Sequence, residues 1–303
     1  MNVQRTFRPP SVKSLSTLSV YANHRIAWWW IGVTLLTLLL TWQNLTQLTS
    51  DLCYLTAKQL FEAGYTQSAL WLANQAQHIP SEQSLAYNMA GYILYTIDDI
   101  PASKRELETG MRTGVANPPL FNNLAVLNHG PQEIEKAIKL QQQAVDGAPN
   151  TAVPYYNLGV LYWLDDDQIA AIRALREATR IDSKWAPPYL YLSFIYMVRQ
   201  EYAVAERLAQ EAILLQPDQS IGHELYIQAL LSQQKGDRAF AAISTARPQI
   251  KDRDRKNLYY ALALRAQGEI KSSQFLFEKL FMWTADRSVR YRAAVELRSI
   301  RNP

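Results

Sequence analysis

The chain has 303 residues, with 31 Lys and Arg against 27 Asp and Glu, for a mild formal charge of +4. Its one cysteine, Cys53, excludes an intrachain disulfide and leaves the redox compartment open. Glycine is scarce at 11 and β-branched clusters are few, which favours helix throughout a chain long enough for a sizeable core.

The N-terminal stretch is basic. Arg5, Arg8, Lys13 and Arg25 precede an uncharged run, and residues 1–50 contain no acid. Residues 1–23, with Pro9 and Pro10 among serines, read as a disordered tail. The run from Ile26 to Trp42, IAWWWIGVTLLTLLLTW, predicts a transmembrane helix over 24–46, and a lipid bilayer is therefore the first expected partner. Its 17 residues rise about 25 Å, slightly short of the ~30 Å hydrocarbon core, and the uncharged continuation 43–50 completes the crossing. Trp28, Trp29 and Trp30 stand at one end and Trp42 at the other, as interfacial aromatics do. A cleavable signal peptide fits less well, because the leader is about 25 residues and no small-x-small site follows Leu40. Beyond the run Asp51, Lys58 and Glu62 nearly cancel. The positive-inside rule then places the N-terminus in the cytoplasm and the rest outside it, in the periplasm if the cell is bacterial.

From Ser50 to Arg287 the sequence repeats at one fixed interval, that from Ala57 to Gly91, without insertion or deletion. One small-residue column runs Ala57, Gly91, Ala125, Gly159, Ser193 and Ala261, with Ile227 as its exception. A second runs Ala69, Ser103, Ala137, Ala171, Ala205, Ala239 and Ser273. A third runs Ala76, Gly110, Ala144, Ala178, Ala212 and Ala246, broken by Leu280. Pro149 and Pro217 share a fourth, where Ser183 replaces proline. Small residues at fixed points mark close approaches of helix backbones. Within one repeat the apolar spacing is helical: Tyr155, Leu158, Gly159 and Tyr162 share one face, and Ala171, Leu175, Ala178 and Ile181 another. Asp165, Asp166 and Asp167 between them form a turn and supply a cap to the next helix. Stacked helical pairs follow. Cys53 is expected to pack within the first of these helices.

Phe121, Leu124, Ala125, Ala137, Ala144 and Pro149, with their counterparts in the next two repeats, give an aromatic, leucine before a small residue, alanine and alanine at fixed positions, and proline in two of the three. In these columns the chain resembles the tetratricopeptide repeat family over seven repeats: 50–83, 84–117, 118–151, 152–185, 186–219, 220–253 and 254–287. The resemblance implies an all-α, right-handed α-α superhelix, here preceded by the one N-terminal transmembrane helix. It also implies a concave surface, lined by the first helix of each pair, that binds a peptide or protein. Residues 288–303 are expected to form a capping helix, with Val289, Ala293, Glu296 and Ile300 at helical spacing.

The family's groove positions fall on Asn88, Tyr92, Tyr95, Asn122, Asn123, Val126, Tyr156, Asn157, Val160, Trp163, Tyr191, Phe194 and Met197, none of them charged. Rings offer rigid apolar area and amides can pair with a peptide backbone, so the resemblance implies an extended ligand here. Packing between adjacent helices accounts for about half of the rings equally well, leaving the asparagines exposed. Asn123 and Asn157 lie one repeat apart, where some family members carry a backbone-gripping asparagine ladder, but Met89 and Tyr191 interrupt it on either side. The carboxylate clamp of chaperone-binding members is missing too: its positions hold Tyr54, Lys58, Met89, Pro119 and Asn123.

Between Arg247 and Arg301 stand 13 Lys or Arg against six Asp or Glu. A solvated face with intrahelical pairs accounts for this, and an anionic partner, lipid headgroups included, is the sharper alternative. Nucleic acid is not expected, since the topology removes this region from the cytoplasm. His24, His78, His129 and His223 are isolated, and no phosphate loop, nucleophile triad or HExxH pattern occurs, so no enzyme, cofactor or metal is expected. The reading is a non-catalytic scaffold, tethered by a single-pass anchor, that assembles an envelope or membrane complex. Two alternatives share the layout: a cytosol-facing receptor on an organelle surface, and an accessory subunit of an envelope polysaccharide or secretion enzyme.

Overall fold

The structure, a computed structural model, describes residues 52–79, 83–113, 117–128, 130, 132–246 and 249–301, and all regular secondary structure among them is helical. The expected tail 1–23 and the transmembrane helix 24–46 lie outside the described residues. Among those described, no helix is long and apolar enough to cross a membrane.

The chain divides into two compact parts, Met1–Ala116 and Asn117–Pro303. The first contains α1 (residues 52–62), α2 (Thr66–Ala76), α3 (Gln83–Thr96) and α4 (Ile100–Arg112). The second contains α5 (Pro118–Leu127), α6 (Ile134–Gly147), α7 (Ala152–Leu164), α8 (Gln168–Ile181) and α9 (Ala186–Val198). It continues with α10 (Tyr202–Leu215), α11 (Ser220–Ser232), α12 (Gly236–Thr245), α13 (Arg253–Ala266), α14 (Ile270–Trp283) and α15 (Arg287–Arg301). The second helix of each pair begins at Thr66, Ile100, Ile134, Gln168, Tyr202, Gly236 or Ile270, and these starts are evenly spaced along the chain.

The turns explain this constancy. Gly64, Asp98, Asp166, Gln200, Gln234 and Gly268 all take positive φ, between 59° and 86°, at the same point of their repeats. The next residue donates its N–H to a carbonyl five residues back: Asp99 to Leu94, Asp167 to Tyr162, Glu201 to Tyr196 and Glu269 to Leu264, each at 2.9 Å. This is a Schellman-type stop, which satisfies an orphan carbonyl and reverses the chain. Asp99 and Asp167 then cap the following helix, accepting from Ala102 N at 3.1 Å and Ala170 N at 2.9 Å. The Asp165–Asp167 run therefore serves the turn.

The small columns are the contact lines of each pair. A Cβ on Gly91 would lie 2.5 Å from Leu107 Cγ, and one on Gly159 would lie 2.6 Å from Leu175 Cγ. Every member of the second column is fully buried. Two serines at these crossings bond across them: Ser103 Oγ donates to Gly91 O at 2.7 Å, and Ser193 Oγ donates to Ala205 O at 2.9 Å. Ile227, the large exception, is buried with Ala239 and Ile243. The core is thus a series of clusters, each shared by adjacent pairs.

Within the second part, helices two apart approach each other at α5 and α7, α9 and α11, α11 and α13, and α13 and α15. All of these are first helices. Where first helices crowd together and second helices splay apart, the first-helix side is the inner side of the curve.

Candidate functional site

Five aromatic rings form one edge-to-face run on α7, α9 and the turn between α8 and α9. Trp185 meets Tyr156 with centroids 5.1 Å apart, and Tyr156 meets Tyr191 at 6.1 Å. Tyr191 meets Phe194 at 6.0 Å, and Phe194 meets Trp163 at 5.5 Å. All four contacts are T-shaped, the arrangement that ring quadrupoles favour. Tyr156, Trp163, Tyr191 and Met197 rest against the core formed by Leu175, Leu192 and Ile195, which fixes the run from beneath. Phe194 remains 41% exposed, while Tyr156, Tyr191 and Trp163 are half-buried. Burial raises the phenol pKa of Tyr156, and burial followed by the neighbouring Tyr156 raises that of Tyr191. Both rings are therefore neutral faces at physiological pH.

Beside the rings lies an amide network joining α5, α6 and α7. Asn122 Oδ1 accepts from Gln141 Nε2 at 3.0 Å and from Asn157 Nδ2 at 2.8 Å. Asn122 Nδ2 donates to Asn123 Oδ1 at 3.2 Å, and Gln141 Nε2 also donates to Pro154 O at 3.0 Å. The asparagines are half-buried, and bonds within the chain occupy groups expected to face a ligand. Val126 and Val160 are half-buried on the same helices.

Asn88, Tyr92 and Tyr95 belong to the first part of the chain. Tyr92 and Tyr95 are exposed, and Phe61 packs edge-on against Tyr92 at 5.7 Å. Asn88 departs from the expectation. It is only 6% exposed within α3, so it sits among packed neighbours and cannot line an open groove.

The concave face continues where no site residue was expected. A cavity of about 440 Å³ opens among α9, α11, α13 and α15, with Met197, Gln228, Leu258, Tyr259, Val289 and Arg292 in its walls. Its polar centre is Glu224, which is buried. It accepts from Arg255 Nη1 and from Tyr259 Oη, each at 3.1 Å, while Gln228 Nε2 donates to Tyr259 Oη at 3.0 Å. Burial drives the Tyr259 pKa well above its ordinary value. Glu296, also buried, pairs with Arg265 of α13 and with Arg292 of its own helix. The basic C-terminal region is therefore tied together largely between helices rather than within them. Among the described residues no group of three or more His, Cys, Asp or Glu could hold a metal ion.

No family model and no curated protein matches the sequence. Solved structures do match. A tetratricopeptide repeat protein from Parabacteroides merdae superposes with a TM-score of 0.54 at 17% identity, over 82% of this chain and 98% of that one. Pseudomonas aeruginosa PilF gives 0.61 at 14% identity, over 72% of this chain and 99% of its own. YrrB, a tetratricopeptide protein with an unusual peptide-binding site, gives 0.53 at 14%, over 62% and 97%. The fold is a tetratricopeptide solenoid. At these identities the likeness concerns fold alone.

Two features of the tetratricopeptide surface escaped the sequence reading. Trp185 precedes α9 in the turn, whereas the family's groove positions fall on first helices. Gln228 and Leu231 stand one repeat after Phe194 and Met197, so the register itself pointed to the cavity. The small columns break at Ile227 and Leu280 in the sixth and seventh repeats, which hid that signal.

Proposed function

We propose that this chain is a non-catalytic scaffold that holds a peptide or protein along the first-helix face of its second part. The observation that carries this reading is the run Trp185, Tyr156, Tyr191, Phe194 and Trp163. It is supported from beneath by core, neutral, and open to solvent at Phe194. Such preorganised rings bind at little entropic cost, and aromatic anchors supply most of the energy in interfaces. The peptide-binding site of YrrB, on the same fold, gives the reading its precedent.

The hydropathy and charge of residues 1–50 support a tether through residues 26–42, with the repeats outside the cytoplasm, as a component of an envelope or membrane complex. A C-terminal reporter active only in the cytoplasm tests this placement, since its activity there would favour a cytosol-facing receptor instead.

The groove is tested by a photo-crosslinking amino acid placed at position 194 or, as a control on the second-helix side, at the exposed Ile169 of α8. Capture of a defined protein from native membranes at 194 but not at 169 is the expected result. Equal capture at both, or capture at 169 alone, would remove the basis for the concave site.

A further inference from the structure

We infer that the cavity among α11, α13 and α15 reads an acidic side chain on the segment that lies along the aromatic run. The inference rests on the groove reading above and adds the chemistry of the ligand. Met197 links the two regions, since it packs with the aromatic cluster and also lines the cavity.

The charge count gives the sign. In the cavity wall two arginines, Arg255 and Arg292, stand with one carboxylate, Glu224. Glu224 is buried and its Oε2 takes the bonds from Arg255 and Tyr259, so the arginines are the more exposed charges of the wall. A guanidinium has five N–H donors. Arg255 gives one to Glu224 at 3.1 Å, and Arg292 gives one to Glu296 at 2.9 Å. Their side chains stay 43% and 56% exposed at the cavity wall. Leu258 and Val289 beside them lower the local dielectric, which strengthens a charge-assisted bond to an incoming carboxylate. The volume, about 440 Å³, lies in the range of ligand pockets and exceeds a single side chain, so an apolar neighbour of the acid is accommodated as well.

The test is selection of a phage-displayed random dodecapeptide library on the full chain held in mild detergent. Wild-type clones should combine aromatic or aliphatic residues with Asp or Glu enriched about tenfold over the input, the factor expected of one charge-assisted bond. The comparison is the variant E224Q/R255Q/R292Q. Replacing Glu224 together with Arg255 avoids stranding a buried carboxylate, and Glu296 keeps Arg265. This variant should lose the acidic bias and keep the apolar one. A second variant, R255K/R292K, should retain most of the acidic bias with native helicity. Enriched clones without an acidic bias, or a bias that persists in the glutamine variant, would overturn the inference and leave the groove standing. No enrichment of any kind on the wild type would overturn the groove reading and this inference together.

Discussion

Asn157 donates from Nδ2 to Asn122 Oδ1 across 2.8 Å, so that two amides of neighbouring repeats hold each other. Asn122 is the hub, since it also receives Gln141 and donates to Asn123. Asn122→Ala should therefore lower stability by about 2 kcal/mol, because fully buried Gln141 keeps only the Pro154 carbonyl. Asn157→Ala should cost about 1 kcal/mol. Urea unfolding midpoints decide this, and equal losses would show that Asn122 has no special role.

Gly159→Ala sets two effects against each other. Helix propensity favours alanine by about 1 kcal/mol. The new methyl, however, would lie 2.6 Å from Leu175 Cγ and 3.2 Å from the Ala171 carbonyl oxygen, which belongs to backbone and cannot rotate away. Overlap should prevail, with a net loss of about 1–3 kcal/mol. Combined with Leu175→Ala, the two losses should fall short of their sum by at least about 0.5 kcal/mol in a double-mutant cycle. A stabilised Gly159→Ala would show that the crossing has slack.

Gln141 occupies a register position held by Leu107 one repeat earlier and Leu175 one repeat later, and all three are buried. Its Oε1 has no hydrogen-bond partner among the described residues. Gln141→Leu should raise stability by up to about 1 kcal/mol, because an unpaired buried acceptor costs more than the two bonds from Nε2 return. Ligand affinity should fall at the same time, since Asn122 loses one of its anchors. Thermal melts and titration with a selected peptide read the two effects separately, and a lowered melting point would contradict the first.

Burial, together with the charge of Glu224, raises Tyr259 above its ordinary pKa of 10.0, against the lowering bond from Gln228. In the unfolded chain this phenol ionises near pH 10. Its contribution to stability is therefore complete below that pH and is lost as pH rises toward the folded value, with a slope of about 1.4 kcal/mol per pH unit. Urea midpoints between pH 9 and 11.5 should fall less steeply in Tyr259→Phe than in the wild type. Tyr156 and Tyr191 are shifted in the same direction and leave a residual slope. Parallel curves for the two proteins would refute the assignment.

The repeat register, the buried small columns and the capping role of Asp167 were all legible in the chain before its folding, because each depends on contacts within one helix pair or one turn. Gly159 needs only Leu175 of its own pair, and Asp167 needs Ala170 at the start of the next helix. What escaped the sequence depends on contacts between repeats. Arg255 finds Glu224, and Arg265 finds Glu296, across 31 residues each, whereas intrahelical pairing looks three or four residues along. Asn88 shares a register position with groove residues of the family, yet its neighbours bury it. The crowding of first helices then determines which face is concave, and it brings arginines of α13 and α15 to one cavity. Periodicity records how each repeat folds on itself. The angle at which one repeat rests on the next comes from side-chain volumes across that interface, and that angle makes the groove.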